Sequence, residues 1–408
     1  MSPTSGTAAW RVVQTPDLEV SVGWPGGRVP VSLIVDDPMP GLNPMSDHER
    51  GRAHRPRIPN DVLCRFADLA DRHGLRGKFS VVPWPLALGR LDEPDTLPAS
   101  ARAALPEFLE LVRDRITPRF DLTCEFLTHS RAIDVRRGRV LEVTERQWAA
   151  QASADDFADT FTLAAHILGR VGLPMDGVTS PWDAGRDNEA AYAAGVALAA
   201  RRRGASRPWY FLHCAEDLDV LPRVTVQADG TPVASILAGT AIDPGWNTQY
   251  GRPAAVDALL DPDGAGRLGD LVRAGLPAVF FTHWQALYGN GSYGGLHALD
   301  LLGERLRQTF GERIDWVPLC RHAELAIACQ ALEIFPAAPE GEGRRAALRI
   351  HTPWPCPRAD LRLRPLTELG RQWCSAPLRW DGVPLAPRVE GDVVCVQVPL
   401  ADGLLEAG

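Results

Sequence analysis

The amino-acid sequence predicts an α/β fold, a barrel of parallel strands and helices followed by a small all-β domain. Three observations carry this. Short apolar runs rich in β-branched and aromatic residues recur along most of the chain, each ahead of a longer helical pattern, as strands paired in parallel require. Past Phe335 the texture changes to the Pro/Gly/charge stretch PAAPEGEGRR and then to short strand-like runs without helices between them. A chain of 408 residues also exceeds one ordinary hydrophobic core.

The strand runs, in order, are Val31–Asp37, Lys78–Pro83, Phe120–His129, Gly177–Trp182, Trp209–Cys214, Ala278–Trp284 and Ile314–Leu319. The helix after the first shows the periodicity well: Val62, Leu63, Phe66, Leu69, Ala70 and His73 share one face, Asn60 precedes them and Gly74 stops them. Glu189–Arg203 and Leu296–Phe310 read the same way. An alternating stretch around Asp229-Gly230, near residues 223–240, reads as a β-hairpin inserted in the series. The expected division is an N-terminal extension over 1–24, the barrel over 25–334, a linker over 335–343 and the β domain over 344–408, with strands at Ala346–Ile350, Leu361–Arg364, Leu378–Trp380 and Val393–Val398.

Composition excludes several classes. Hydrophobic residues at 45% and charged residues at 23% fit a folded globular chain. A formal charge of −8 argues against nucleic acid as a partner. The start MSPTSGTAAW has no basic segment ahead of an apolar run, and no stretch approaches a membrane span, so a soluble cytoplasmic protein without a membrane partner is expected. The eight cysteines form no C-x-x-C pair and read as reduced, packed thiols. Lys78 is the sole lysine, hence the one Schiff-base candidate. The oligomeric state is left open, a homo-oligomer included.

In a parallel barrel, catalytic groups project from the C-terminal ends of the strands. Those ends are Asp36-Asp37, Pro83-Trp84, His129, Ser180-Pro181-Trp182, His213 and His283-Trp284. Two adjacent carboxylates closing a buried strand are costly unless a cation or a histidine offsets them. Strand alternation aims them differently, so that one can bind a metal while its neighbour receives a proton.

SLIVDD, FLTHSRAID, TSPW and FFTHW, in that order and at strand ends, resemble the motifs of the polysaccharide deacetylases, carbohydrate esterase family 4. The resemblance spans roughly residues 25 to 330 and implies a distorted (β/α)7 TIM-like barrel with metal-dependent hydrolase activity on an acylated sugar or sugar-like small molecule. Carried over by position, it implies Asp36 as the catalytic base, Asp37 and His129 as metal ligands, and His283 as the acid. Four residues after His129, where the family has a second imidazole, stands Ile133; Asp134, one position on, is the expected substitute ligand. The family's Arg-x-Pro segment, whose arginine orients the base, reads Thr179-Ser180-Pro181-Trp182. The implied cofactor is a divalent metal, zinc first, with manganese, nickel or cobalt as alternatives.

Candidate substrate contacts complete the reading. His48 lies in the loop SDHERGRAHRP after the first strand, Glu125 sits four residues before His129 on the same run, and His213 ends the fifth. Trp84, Trp182, Trp284 and Tyr288 are aromatic surfaces near the same mouth. Two other functions fit the same residues: a different reaction on this barrel, such as a lyase, an isomerase or glycoside or C–N cleavage in specialised metabolism, and a non-catalytic carbohydrate-binding protein.

Overall fold

The computed structural model describes residues 12–46, 55–205, 207–213, 220–337, 347–352 and 354–407. The chain divides into two units, residues 30–273 with 277–321, and residues 1–29 and 322–408 with 274–276.

The first unit is built on a parallel sheet: β1 (Val29–Asp36), β2 (Gly77–Val81), β3 (Phe120–Glu125), β4 (Gly177–Thr179), β5 (Trp209–Leu212), β6 (Pro232–Leu237), β7 (Ala278–His283) and β8 (Ile314–Trp316). Its order is β6-β5-β4-β3-β2-β1-β7, with β8 also pairing with β1, and it curls into an open half-barrel. All seven predicted runs form strands. Every residue of β1 is buried, as in a parallel strand covered on both faces. The expected hairpin forms between Arg223–Val226 and β6, but β6 also pairs in parallel with β5, Ala234 opposite Trp209. It is therefore a member of the main sheet, which its wholly buried PVASIL sequence requires. The first helix, α1 (Asp61–His73), buries Val62, Leu63, Phe66, Leu69 and Ala70 and ends at Gly74 in the left-handed conformation.

Several runs stop earlier than the sequence suggests, two of them at the cavity. The strand from Phe120 ends at Glu125, and Phe126 and His129 take left-handed backbone angles, φ 49° and 52°. The strand from Gly177 ends at Thr179, and Trp182 (φ 49°) lies in a turn. Register sets the functional ends level: Asp36 pairs with His283, Ser80 with Thr123, and Glu125 with Thr179.

The second unit is all-β apart from two helices. One sheet runs Val12–Gln14, Leu18–Gly23, Cys356–Pro365, Val393–Leu400, Arg388–Glu390; the other runs Glu333–Ala337, Ala347–His351, Gly403–Ala407, Leu378–Trp380, Val383–Pro384. The described part of the expected N-terminal extension is thus strand, Val22 opposite Leu361. Of the expected linker, Phe335–Ala337 is strand, and 338–343 lie outside the described residues. Val20, Leu361, Val396, Ile350, Leu405, Trp373 and Trp380 join both sheets in one buried cluster. No helix among the described residues is long and apolar enough to cross a membrane.

Candidate active site

At the C-terminal ends of the strands of the first unit lies a cavity of about 500 Å³ whose lining includes Asp36, Asp37, Glu125, His129, Trp182, His213, Trp246, His283 and Gln285. Beneath it is a buried polar layer. Lys78 and Ser80 alternate onto one face of β2, as Thr123 and Glu125 do on β3. The ammonium of Lys78 donates to Asp36 Oδ1, to Ser80 Oγ at 2.6 Å and to Thr179 Oγ1 at 2.6 Å. Thr123 Oγ1 lies 2.8 Å from Thr179 Oγ1. Lys78 is 0% exposed and Asp36 1%, a burial each charge tolerates only because of the other. The sole lysine therefore serves as the fixed counter-ion of Asp36.

Asp36 also meets an imidazole. His213 Nε2 lies 3.0 Å from Asp36 Oδ2, and Asp183 stands behind the ring, 3.7 Å from Nδ1, while accepting the His213 backbone N–H at 2.7 Å. Burial opposes the charge of Asp36, but Lys78 and His213 outweigh it and hold the carboxyl far below the usual carboxylate range. Burial likewise opposes the charge of His213, and Asp183 and Asp36 push it up to about 10. His283 is built in the same way: Asp243 Oδ2 accepts from its ring at Nδ1 (2.8 Å) and from its backbone N–H (3.0 Å). Asp243 is itself fixed by Thr282 and the Gly245 N–H.

Asp37 turns away through a left-handed backbone, φ 69°, a strained conformation for a non-glycine residue. Its Oδ1 lies 2.8 Å from His129 Nε2, and its Oδ2 accepts from Gln285 Nε2 at 2.8 Å. Burial works against the His129 charge, yet Asp37 pushes that ring up to about 9. His129 is held by Glu145, the first residue of α2 (Glu145–Ala149), whose carboxyl accepts the backbone N–H groups of Leu127, Thr128 and His129 at 2.8–3.0 Å. Trp182 packs on the His129 ring, centroids 4.5 Å apart.

Glu125 completes this side. Both its carboxyl oxygens and His129 Nδ1 are buried without a hydrogen-bond partner. Burial and then the charge of Asp36 raise Glu125 to about 7. One ligand atom from each of Asp37, Glu125 and His129 lies within 4.8 Å of the others. Two carboxylates and an imidazole with orphaned donor atoms fit a divalent cation.

The structure therefore gathers Asp36, Asp37, Glu125, His129, Trp182, His213 and His283 at one cavity. Asp134 is a correction: it pairs with Arg137 at 2.9 Å and lines a different pocket, because the hairpin Arg131–Asp134 with Arg139–Thr144 carries it away. Glu125, expected as a substrate contact, is the carboxylate that lies beside Asp37 and His129. Trp284 is 1% exposed and packs edge-on to Phe79, so it is core. Tyr288 lines another pocket and its hydroxyl accepts from Arg55. Trp84 is half-buried ahead of the turn Pro85–Ala87 and does not line the cavity. His48 lies outside the described residues. Sequence reasoning missed Asp243, Glu145 and Gln285. It noted Lys78 without its partner, although its being the single lysine was the available signal.

No protein-family model matches the chain, and a search of curated proteins gives no match. Among solved structures it is similar to a candidate polysaccharide deacetylase from Mycobacterium smegmatis, with 14% identity and TM-score 0.48 over 82% of this chain and 99% of that one. It is also similar to a candidate glycoside hydrolase/deacetylase from Parabacteroides distasonis, with 9% identity and TM-score 0.44 over 84% and 82%. A CE4 family pseudoenzyme from Bacillus anthracis matches with 13% identity and TM-score 0.33 over 73% and 69%. By its fold and the motifs that close its strands, the chain resembles the polysaccharide deacetylases, with divergent motifs.

Proposed function

We propose that the chain is a metal-dependent hydrolase of the polysaccharide deacetylase type, removing an acyl group from a sugar or sugar-like small molecule. The observation that carries this reading is the split between two adjacent acids on one cavity: Asp36 faces two imidazoles, each backed by an aspartate, and Asp37 faces Glu125 and His129. The cavity volume suits a small ligand.

Asp37, Glu125 and His129 would hold a divalent ion, which would supply Lewis acidity toward an acyl carbonyl oxygen; zinc and manganese both suit the set, and the second carboxylate favours the harder ion. The chain's own groups do the rest. Lys78 and Ser80 occupy Asp36 Oδ1, so Oδ2, which His213 Nε2 also faces at 3.0 Å, is the oxygen that orients a water and takes its proton as the new bond forms. His283, fixed at Nδ1 by Asp243, presents its other nitrogen as the donor to the departing amine or alcohol. Trp182 and Trp246, beside His129 and His283, offer apolar faces to a sugar ring.

The test is acetate release from a panel of acetylated saccharides and small molecules. Asp36→Asn is expected to lower kcat by roughly 10²–10⁴-fold with the ion at Asp37, Glu125 and His129 retained. Full turnover by Asp36→Asn, or full metal content in both Asp37→Ala and His129→Ala, contradicts the assignment.

A further inference from the structure

The cavity carries a second set of donors that the proposed reaction does not employ as ligands. One ligand atom from each of Asp36, His213 and His283 lies within 4.8 Å of the others. The two rings are nearly parallel, 5° apart in plane with centroids 6.0 Å apart. A carboxylate stands behind each ring: Asp243 is at hydrogen-bond distance from His283 Nδ1, 2.8 Å, and Asp183 faces His213 Nδ1 at 3.7 Å while accepting its backbone N–H. Metal-ligating histidines are commonly held this way, the distal nitrogen fixed by a carboxylate that sets the tautomer and raises the basicity of the free nitrogen. Asp36 is prepared as well, since Lys78 and Ser80 occupy Oδ1 while Oδ2 faces His213.

Charge points the same way. Around the cavity, Asp36, Asp37 and Glu125, with Asp183 and Asp243 behind the histidines, outnumber the fixed cations Lys78 and Arg146. A cation at Asp37, Glu125 and His129 leaves Asp36, Asp183 and Asp243 with Lys78 and protons on the two imidazoles to offset them.

We propose that Asp36, His213 and His283 form a second divalent-cation site, distinct from the set of Asp37, Glu125 and His129. Two imidazoles and one carboxylate suit a borderline ion such as zinc, whereas the first set, with two carboxylates, leans toward manganese. This goes beyond the hydrolase reading and bears on it: an ion here engages the groups assigned as base and acid, so occupancy beyond one ion per chain arrests turnover.

The experiment is zinc binding to the full chain by calorimetry, with metal content by plasma mass spectrometry after desalting. The expected result is two zinc ions per wild-type chain, and one in His213→Ala, in His213→Gln and in Asp37→Asn. Asp183→Asn should weaken the second site about 10–100-fold, as loss of an outer carboxylate does. Circular dichroism checks folding, and His213→Gln keeps a polar group opposite Asp36. Saturation at one ion in the wild type, retained in both His213 variants and lost in Asp37→Asn, overturns the second site and leaves the proposed hydrolase centre standing. Loss of an ion in the His213 variants with none lost in Asp37→Asn sustains the second site and contradicts the Asp37 centre.

Discussion

Asp360 in the all-β unit and Glu125 at the barrel mouth are buried to the same degree, each 1% exposed, yet their surroundings differ. Asp360 accepts the backbone N–H groups of Gly26 and Gly27 and the guanidinium of Arg388. Glu125 has no partner at either oxygen. The same contrast runs through the backbone. At the mouth Asp37, His129, Trp182 and Asp183 all sit at positive φ, whereas Asp381 is the one such non-glycine residue among the described residues of the all-β unit. A buried acid that is satisfied contributes to stability, while one left open in a strained setting is held for something that arrives later.

The sharpest way to break this comparison is at the counter-ions. Lys78→Met leaves Asp36 charged and buried without its ammonium, with an expected loss of about 3–5 kcal/mol in denaturant unfolding. Arg388→Met, at a side chain 41% exposed, should cost only about 0.2–1 kcal/mol. Equal losses would erase the distinction. The acids themselves come next. Asp360→Asn should destabilise by about 1–3 kcal/mol, because bonds to a buried carboxylate are lost, while Glu125→Gln should be neutral or stabilising above pH 7 in the ion-free chain and should abolish metal binding at its site.

An effect of opposite sign in the two units, graded with pH, appears in titrations of stability. Burial raises Glu125 to about 7 from 4.5, so the folded ion-free chain holds a proton there that the unfolded chain has released. That contribution is full below about pH 4.5 and fades as pH rises through 7, by at most about 1.4 kcal/mol per unit. In the all-β unit burial lowers His322 to about 3. There the unfolded chain takes up the proton first, so stability is full above about pH 6.5 and falls as pH drops toward 3. Glu125→Gln should remove the first slope and leave the second; persistence of both slopes in that variant contradicts the assignment to Glu125.

Much of the barrel was legible because parallel strands covered on both faces are apolar along their length, as VSLIV and AVFFT show. Asp36, Asp37 and His283 were legible because they close such strands. Glu125 was harder to place. FDLTCEFLTH reads as one strand, and nothing in its residue types announces that the chain turns at Phe126. Spacing from His129 therefore points forward to Asp134 and not back to Glu125. Asp243 and Glu145 act on His283 and His129 from distant segments, where spacing carries no signal. The strands Val12–Gln14 and Leu18–Gly23 read as an extension because Leu18–Gly23 pairs with a run near the opposite end of the sequence.

Anomalous diffraction from crystals soaked in manganese tests the centre most directly. A peak within bonding reach of the carboxylates of Asp37 and Glu125 and the ring of His129 is expected, and it should vanish in Glu125→Gln. Crystals of intact fold that show no density between those three side chains, at an ion concentration that fills comparable sites, would mean that the open carboxylate is not waiting for a metal.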